Sequence, residues 1–207
     1  MKKLLQLFSL LALFCCGEIT YAEDEAATEE LARIPQVLES VKLVNKAKPN
    51  LKAKIYFVYQ SRSTCGICVA EAPTLVKEYK KMKRKGCEMV MLNVDQNPEA
   101  AAKWVKSAKM DFPVIHPSVS MSCGIPWEYT GQGLLPCMVA MTPDGKKLGE
   151  AGGPDVSEFV KDWKKLLRDI QKQEAKDAAA AAREKSKAKK SKKKGRKAAE
   201  DEDESDF

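Results

Sequence analysis

The sequence predicts an α/β domain with a central mixed sheet flanked by helices, followed by a disordered charged tail. Three observations carry this. Short runs of β-branched, aromatic and apolar residues alternate with segments whose apolar residues recur at helical spacing. A turn signature, Thr142-Pro143-Asp144-Gly145, separates two late extended runs. Past about residue 171 the apolar periodicity stops and blocks of charge take over. A chain of 207 residues with 44% hydrophobic content holds one domain of ordinary size plus tails.

The elements follow in order. Leu31, Ile34, Leu38 and Val41 fall on one face of a first helix. Residues 54–59, KIYFVY, form a buried strand. Val69, Ala72, Leu75, Val76, Tyr79 and Met82 line one face of a second helix that ends at Gly86. Residues 88–94 form a second buried strand. Asn97-Pro98 then starts a helix: Asn accepts from free N–H groups, and Pro at the first position loses no needed donor. Residues 112–115 are a third strand, and residues 116–135, rich in Pro, Gly and Ser, are irregular. The two runs around Thr142–Gly145 make a hairpin. Asp155 and Glu158 predict a capping box for a last helix with Val156, Phe159, Val160, Trp163, Leu167 and Ile170 on its apolar face. Early strand–helix alternation requires parallel pairing, and the late hairpin adds antiparallel edges.

The ends are read differently. Met1-Lys2-Lys3, an apolar run over residues 4–16 and the small residue Ala22 before Glu23 have the form of a secretory signal peptide, residues 1–22. The apolar run is too short to span a bilayer comfortably. This predicts export, to the periplasm or cell envelope. Residues 23–50 are an N-terminal helical segment, 51–175 the main domain, and 176–207 a Lys/Ala-rich and then acidic tail. Residues 183–197 hold ten Lys or Arg against one Glu, and residues 200–207 hold six acids. The basic block offers contact with an anionic envelope surface. It has no aromatic residue for base stacking, which argues against a nucleic-acid partner.

Cys65-Gly66-Ile67-Cys68 sits where the first strand hands over to the second helix. A thiol at a helix N-terminus meets free N–H groups and the positive end of the dipole, which favour the thiolate. Cys68, one turn on, is placed to attack a mixed disulfide formed at Cys65. Pro73 removes the helical hydrogen bond to the Val69 carbonyl. Of the seven cysteines, Cys15 and Cys16 leave with the leader. The other five are Cys65, Cys68, Cys87, Cys123 and Cys137, an odd number for an oxidising compartment. Cys87, at the start of a buried strand, reads as a core thiol, and Met82, Met89, Met91 and Met141 as packing.

Strand, motif, helix and hairpin together resemble the thioredoxin superfamily, and within it the exported TlpA/ResA-like thioredoxins. The likeness runs over about residues 54–153. It rests on the Cys65–Cys68 motif with Glu71 and Pro73, on residues 90–95, on Phe112-Pro113-Val114, and on Leu134-Leu135-Pro136 before the hairpin. It implies a cis Leu135-Pro136 bond facing the dithiol, with Pro136 and Leu135 shaping a groove for an extended substrate segment. It also implies that Glu71 tunes the cysteines. Thr64 stands where the family has Trp, Gly-Ile replaces a proline-containing pair, the segment after His116 is long, and Cys137 directly follows the proline. Trp127 is read as a further groove residue, and Cys123 with Cys137 as a possible second disulfide pinning the irregular stretch.

The reading is therefore a monomeric thiol–disulfide oxidoreductase acting on exported protein thiols and disulfides, served by a redox partner, with Cys65 attacking and Cys68 resolving. It needs no cofactor, because the sulfurs carry the electrons. A non-catalytic binding module with a structural Cys65–Cys68 disulfide is the competing class. A soft-metal site built from Cys65, Cys68, Cys123 and Cys137, or from His116 and Met121, is the third. The second cysteine pair lacks metal-clip spacing, so no metal is expected.

Overall fold

The computed structural model describes residues 34–203 apart from residue 132, with side chains to residue 187. The expected signal peptide and Leu31 lie outside the described residues. Five strands form one sheet in the order β3-β2-β1-β4-β5. They are β1 (Ile55–Ser61), β2 (Cys87–Asn93), β3 (Val114–Ile115), β4 (Cys137–Met141) and β5 (Lys147–Gly152). β1 pairs parallel with β2, and β2 with β3, while β4 runs antiparallel to both β1 and β5. The expected mixed sheet is thus observed, with the parallel strands first and the hairpin at one edge.

Period-two alternation along β1 sorts the core into two layers. Ile55, Phe57 and Tyr59 face a cluster with Cys68, Leu75, Tyr79 and Met82 of α2 (Gly66–Lys83). Tyr56 and Val58 face the other layer, with Ile34, Val37 and Leu38 of α1 (Ile34–Ser40). β2 is buried at every position, as befits a strand covered on both faces. Cys87 and the four methionines named above are all buried.

The segment ahead of residue 51 is built into this unit. Leu43 bridges to Ile115. The Asn45 amide donates to the carbonyls of Met110 (3.2 Å) and Phe112 (2.8 Å) and accepts from the Val114 N–H (3.3 Å). It stitches the crossing segment to the start of β3. The ends of the helices obey local chemistry. Gly86 takes φ +82 just past α2, and the N–H of Lys54 bonds its carbonyl. Asn97 caps α3 (Pro98–Ser107) through bonds from the N–H groups of Glu99 and Ala100. The hairpin turn closes with Gly145 at φ +92 and its N–H on the Thr142 carbonyl.

One expectation needs correcting. Asp155 does not cap a helix with its side chain. It already lies in a 3-10 turn, residues 153–155, that leads into the short α5 (Val156–Phe159), so its backbone is helical rather than in the extended conformation a capping residue takes. Over the stretch read as a tail, α6 spans Trp163–Asp203. Ala, Lys, Glu and Arg are strong helix formers, so local propensity carries the helix on where packing stops. The last apolar residues of α6 against the core are Leu166, Leu167 and Ile170, and residues 171–187 are exposed throughout.

Candidate active site

The C-terminal edge of the parallel strands is where a strand-to-helix loop can present reactive groups. β1 ends at Ser61, and four residues later Cys65 is the N-cap of α2, in extended conformation. Its sulfur accepts from the Cys68 N–H at 3.3 Å and lies 3.6 Å from the Leu135 carbonyl oxygen, toward which the thiol points. Cys65 is half-buried and Cys68 fully buried. Both are thiols in the structure. Burial, reinforced by the neighbouring Cys65 sulfur, pushes Cys68 up to about 11. The Leu135-Pro136 peptide is cis. Ile67 and Leu134, both exposed, leave apolar surface beside Cys65.

The loop before Cys65 is held by a carboxylate. Ser63 donates its N–H to both Asp95 oxygens (3.0 Å each) and its hydroxyl to Oδ1 (2.6 Å). Asn93 adds a fourth bond to Asp95 Oδ2 (2.9 Å), and the Asp95 N–H returns to Asn93 Oδ1 (3.0 Å). The Val94 N–H bonds the Ser61 carbonyl at 3.0 Å. Sequence reading missed this clamp. Its trace was present in Asn93 and Asp95, polar residues closing a strand otherwise suited to full burial.

The other candidates separate. Glu71 lies one turn past Cys68. Burial raises its carboxyl, bonds to Ser157 oppose that rise, and Asp155 and Glu158 add to it. One of its oxygens is buried without a hydrogen-bond partner. Cys137 sits next to Pro136 at the start of β4, opposite Gln60 of β1, and its thiol donates to Gln60 Oε1 at 3.3 Å. Burial first, then the nearby Cys68 and Glu150, push it up to about 12. Gln60 Nε2 donates onward to the Met121 sulfur at 3.3 Å. Cys123 packs in the other layer, beside Val37 and Val41 of the α1 region.

Trp127 lies against the cluster that holds Met141, and with Pro126, Gly145 and Lys147 it lines a pocket at the turn end of the β4–β5 hairpin. Cys137, at the opposite end of β4, is the part of that strand near the dithiol. The irregular stretch passes beside the hairpin turn, with the Pro126 ring seated over Gly145. His116 caps the one-turn helix α4 (Pro117–Ser120), bonding the Ser118 N–H and hydroxyl through Nδ1. Among the described residues no three His, Cys, Asp or Glu side chains are gathered as a metal would need.

A parallel β1–β2–β3 unit, an antiparallel hairpin, a Cys-x-x-Cys pair capping the helix after β1, and an X-Pro peptide opposite it occur together here. The fold is thioredoxin-like. Residues 37–121 match the AhpC/TSA family. The thiol-disulfide oxidoreductase ResA of Bacillus subtilis is 26% identical over 177 residues, spanning 81% of this chain and 97% of ResA. Among solved structures, StoA from Bacillus subtilis is 19% identical, with a TM-score of 0.45 over 55% of this chain and 84% of that one. A thiol:disulfide interchange protein DsbE from Chlorobium tepidum, itself described as putative, is 20% identical, with a TM-score of 0.45 over 60% of this chain and 96% of that one.

Proposed function

We propose that this thioredoxin-like protein is a thiol–disulfide oxidoreductase acting on protein thiols and disulfides outside the cytoplasm. The observation that carries the reading is the unequal pair at the head of α2. Cys65 is reachable and caps the helix, while Cys68 is buried one turn below with its backbone N–H on the Cys65 sulfur. That asymmetry suits a two-step exchange. Cys65 attacks a substrate disulfide, its sulfur bonding one substrate sulfur while the other leaves. Cys68 then attacks Cys65, the Cys65–Cys68 bond forms, and the second substrate sulfur departs. Two electrons pass from the pair to the substrate, and the reverse sequence oxidises a substrate dithiol.

Leu135 and Pro136, with exposed Ile67 and Leu134, form the docking edge for an extended substrate segment. The leader-like N-terminus supports export. The basic stretch of residues 183–197 is suited to an anionic envelope surface.

Trapping tests the assignment. Cys68→Ser leaves Cys65 unable to be released, so mixed disulfides with partner proteins accumulate on non-reducing gels, and Cys65→Ser abolishes them. If neither variant differs from the parent, and the oxidised pair exchanges slowly with protein dithiols, the chain is a binding module with a structural disulfide.

A further inference from the structure

Resolution by Cys68 poses a chemical problem. The attacking sulfur has to be a thiolate, yet Cys68 lies wholly out of water. The groups facing it come from each element packed around it. On α2 this is Cys65, with Glu71 one turn further on as a common neighbour of Tyr59. On β1 they are Ser61 and Tyr59, with the Arg62 backbone beyond, and on β4 Cys137. Glu71 bonds Ser157 and keeps its other oxygen buried without a partner, and when ionised it bears negative charge that opposes a second anion nearby. Cys137 is a buried thiol occupied with Gln60. No lysine or arginine side chain is among the groups just named.

Ser61 differs from the rest. It is fully buried and shares the α2-facing side of β1 with Tyr59. Its hydroxyl donates to the Tyr59 oxygen at 2.9 Å; Tyr59 and Cys68 belong to one buried cluster, and a Ser61 hydrogen bond favours the Cys68 thiolate. A buried serine at a strand end has no packing value that alanine would lack. Its hydroxyl hydrogen turns about one bond, so two acceptors compete for a single donor.

We propose that Ser61 is a positioning residue for the resolving cysteine: its hydroxyl rests on Tyr59 while Cys68 is a thiol and swings to donate to the Cys68 thiolate as the mixed disulfide is resolved. The inference rests on the dithiol reading above. In the step itself Cys65 is bonded to a substrate sulfur. The Cys68 thiolate attacks the Cys65 sulfur, the Cys65–Cys68 bond forms, and the substrate sulfur leaves with the electron pair of the broken bond. It leaves as a thiol, taking up one proton in place of the one Cys68 gave to solvent. Ser61 keeps its own proton throughout and lends only a hydrogen bond, which is about twice as strong to a charged acceptor as to a neutral one.

The test uses the full chain, reduced, in a Cys15→Ser, Cys16→Ser and Cys123→Ser background, mixed in stopped flow with the aromatic disulfide 5,5′-dithiobis(2-nitrobenzoate). Attack by Cys65 releases the first coloured thiolate, and resolution by Cys68 releases the second. In Ser61→Ala the first release is unchanged, whereas the second slows about tenfold at pH 7 and its pH midpoint rises by about one unit, the two being the same free energy. Ser61→Thr restores the second release. Tyr59→Phe removes the competing acceptor, so the second release quickens and its midpoint falls. An unchanged second release in Ser61→Ala, an equal slowing of both releases, or an unchanged or slower second release in Tyr59→Phe overturns the proposal. Loss of the dithiol reading has a separate signature, a second release that persists at the parent rate in Cys68→Ser.

Discussion

Removing the Asp95 carboxylate is expected to loosen the loop that aims Cys65. Asp95 is nearly buried and accepts three bonds from Ser63 and one from Asn93. Two of the Ser63 bonds share one N–H, so three donors lose their acceptor in Asp95→Ala. Hydrogen bonds to a charged group contribute about 1.5–3 kcal/mol each, but loop donors released to water recover much of that. One further bond, from the Asp95 N–H to Asn93, is a backbone donor and survives the substitution. The net cost is about 3 kcal/mol, which for a domain of this size lowers Tm by roughly 6–12 °C. Ser63→Ala removes a single hydroxyl bond and leaves the N–H in place, so it costs about 1 kcal/mol. Urea unfolding of the reduced protein gives both values. Stopped-flow alkylation gives the rate at Cys65, which falls in Asp95→Ala because the residue two positions after Ser63 is no longer fixed. The reasoning is refuted if Asp95→Ala costs less than Ser63→Ala, or if Cys65 reacts at the parent rate in the destabilised variant.

Limiting iodoacetamide on the reduced protein at pH 7 should label Cys65 before Cys68, since Cys68 is buried and held protonated; peptide mapping reads the order. Cys87, buried and pushed up to about 11 by its surroundings, should stay unlabelled until the protein is unfolded. Deleting residues 176–207 should leave Tm within about 1 °C, because the apolar contacts of α6 end at Ile170 and the Lys54–Glu174 pair it retains is exposed. Reduced protein should lose stability as pH rises from about 8.5, where unfolded thiols titrate, toward 11. The sign follows from Cys68, Cys87 and Cys137 all being raised, so that the folded state keeps protons the unfolded chain gives up. Urea midpoints at pH 8 and pH 10 measure the fall, which Cys87→Ala should reduce.

What could be read from the sequence was whatever depends on neighbours along the chain. The period-two runs of β1 and β2, the helical period of α2, the Asn97-Pro98 start of α3 and the Thr-Pro-Asp-Gly turn each carry their cause within a few residues, and each lies where expected. The Cys-x-x-Cys spacing likewise contains its own geometry, because a helix N-cap and a residue three positions on must meet. What stayed hidden depends on which distant segments the fold brings together. Asn45 is an unremarkable polar residue until three backbone groups 65 to 69 positions later converge on it. Asp95 looks like the polar end of a strand until parallel pairing of β1 with β2 places it beside Ser63. Trp127 illustrates the converse. An aromatic in a Pro/Gly-rich stretch has no period to fix its direction, and only the Pro126–Gly145 contact decides which end of the hairpin it covers. Ser61 belongs to the same class as Asp95. Its identity at the end of a buried strand is compatible with any small residue, and it acquires a role only because α2 sets the Cys68 sulfur over the same face of β1 that carries Tyr59.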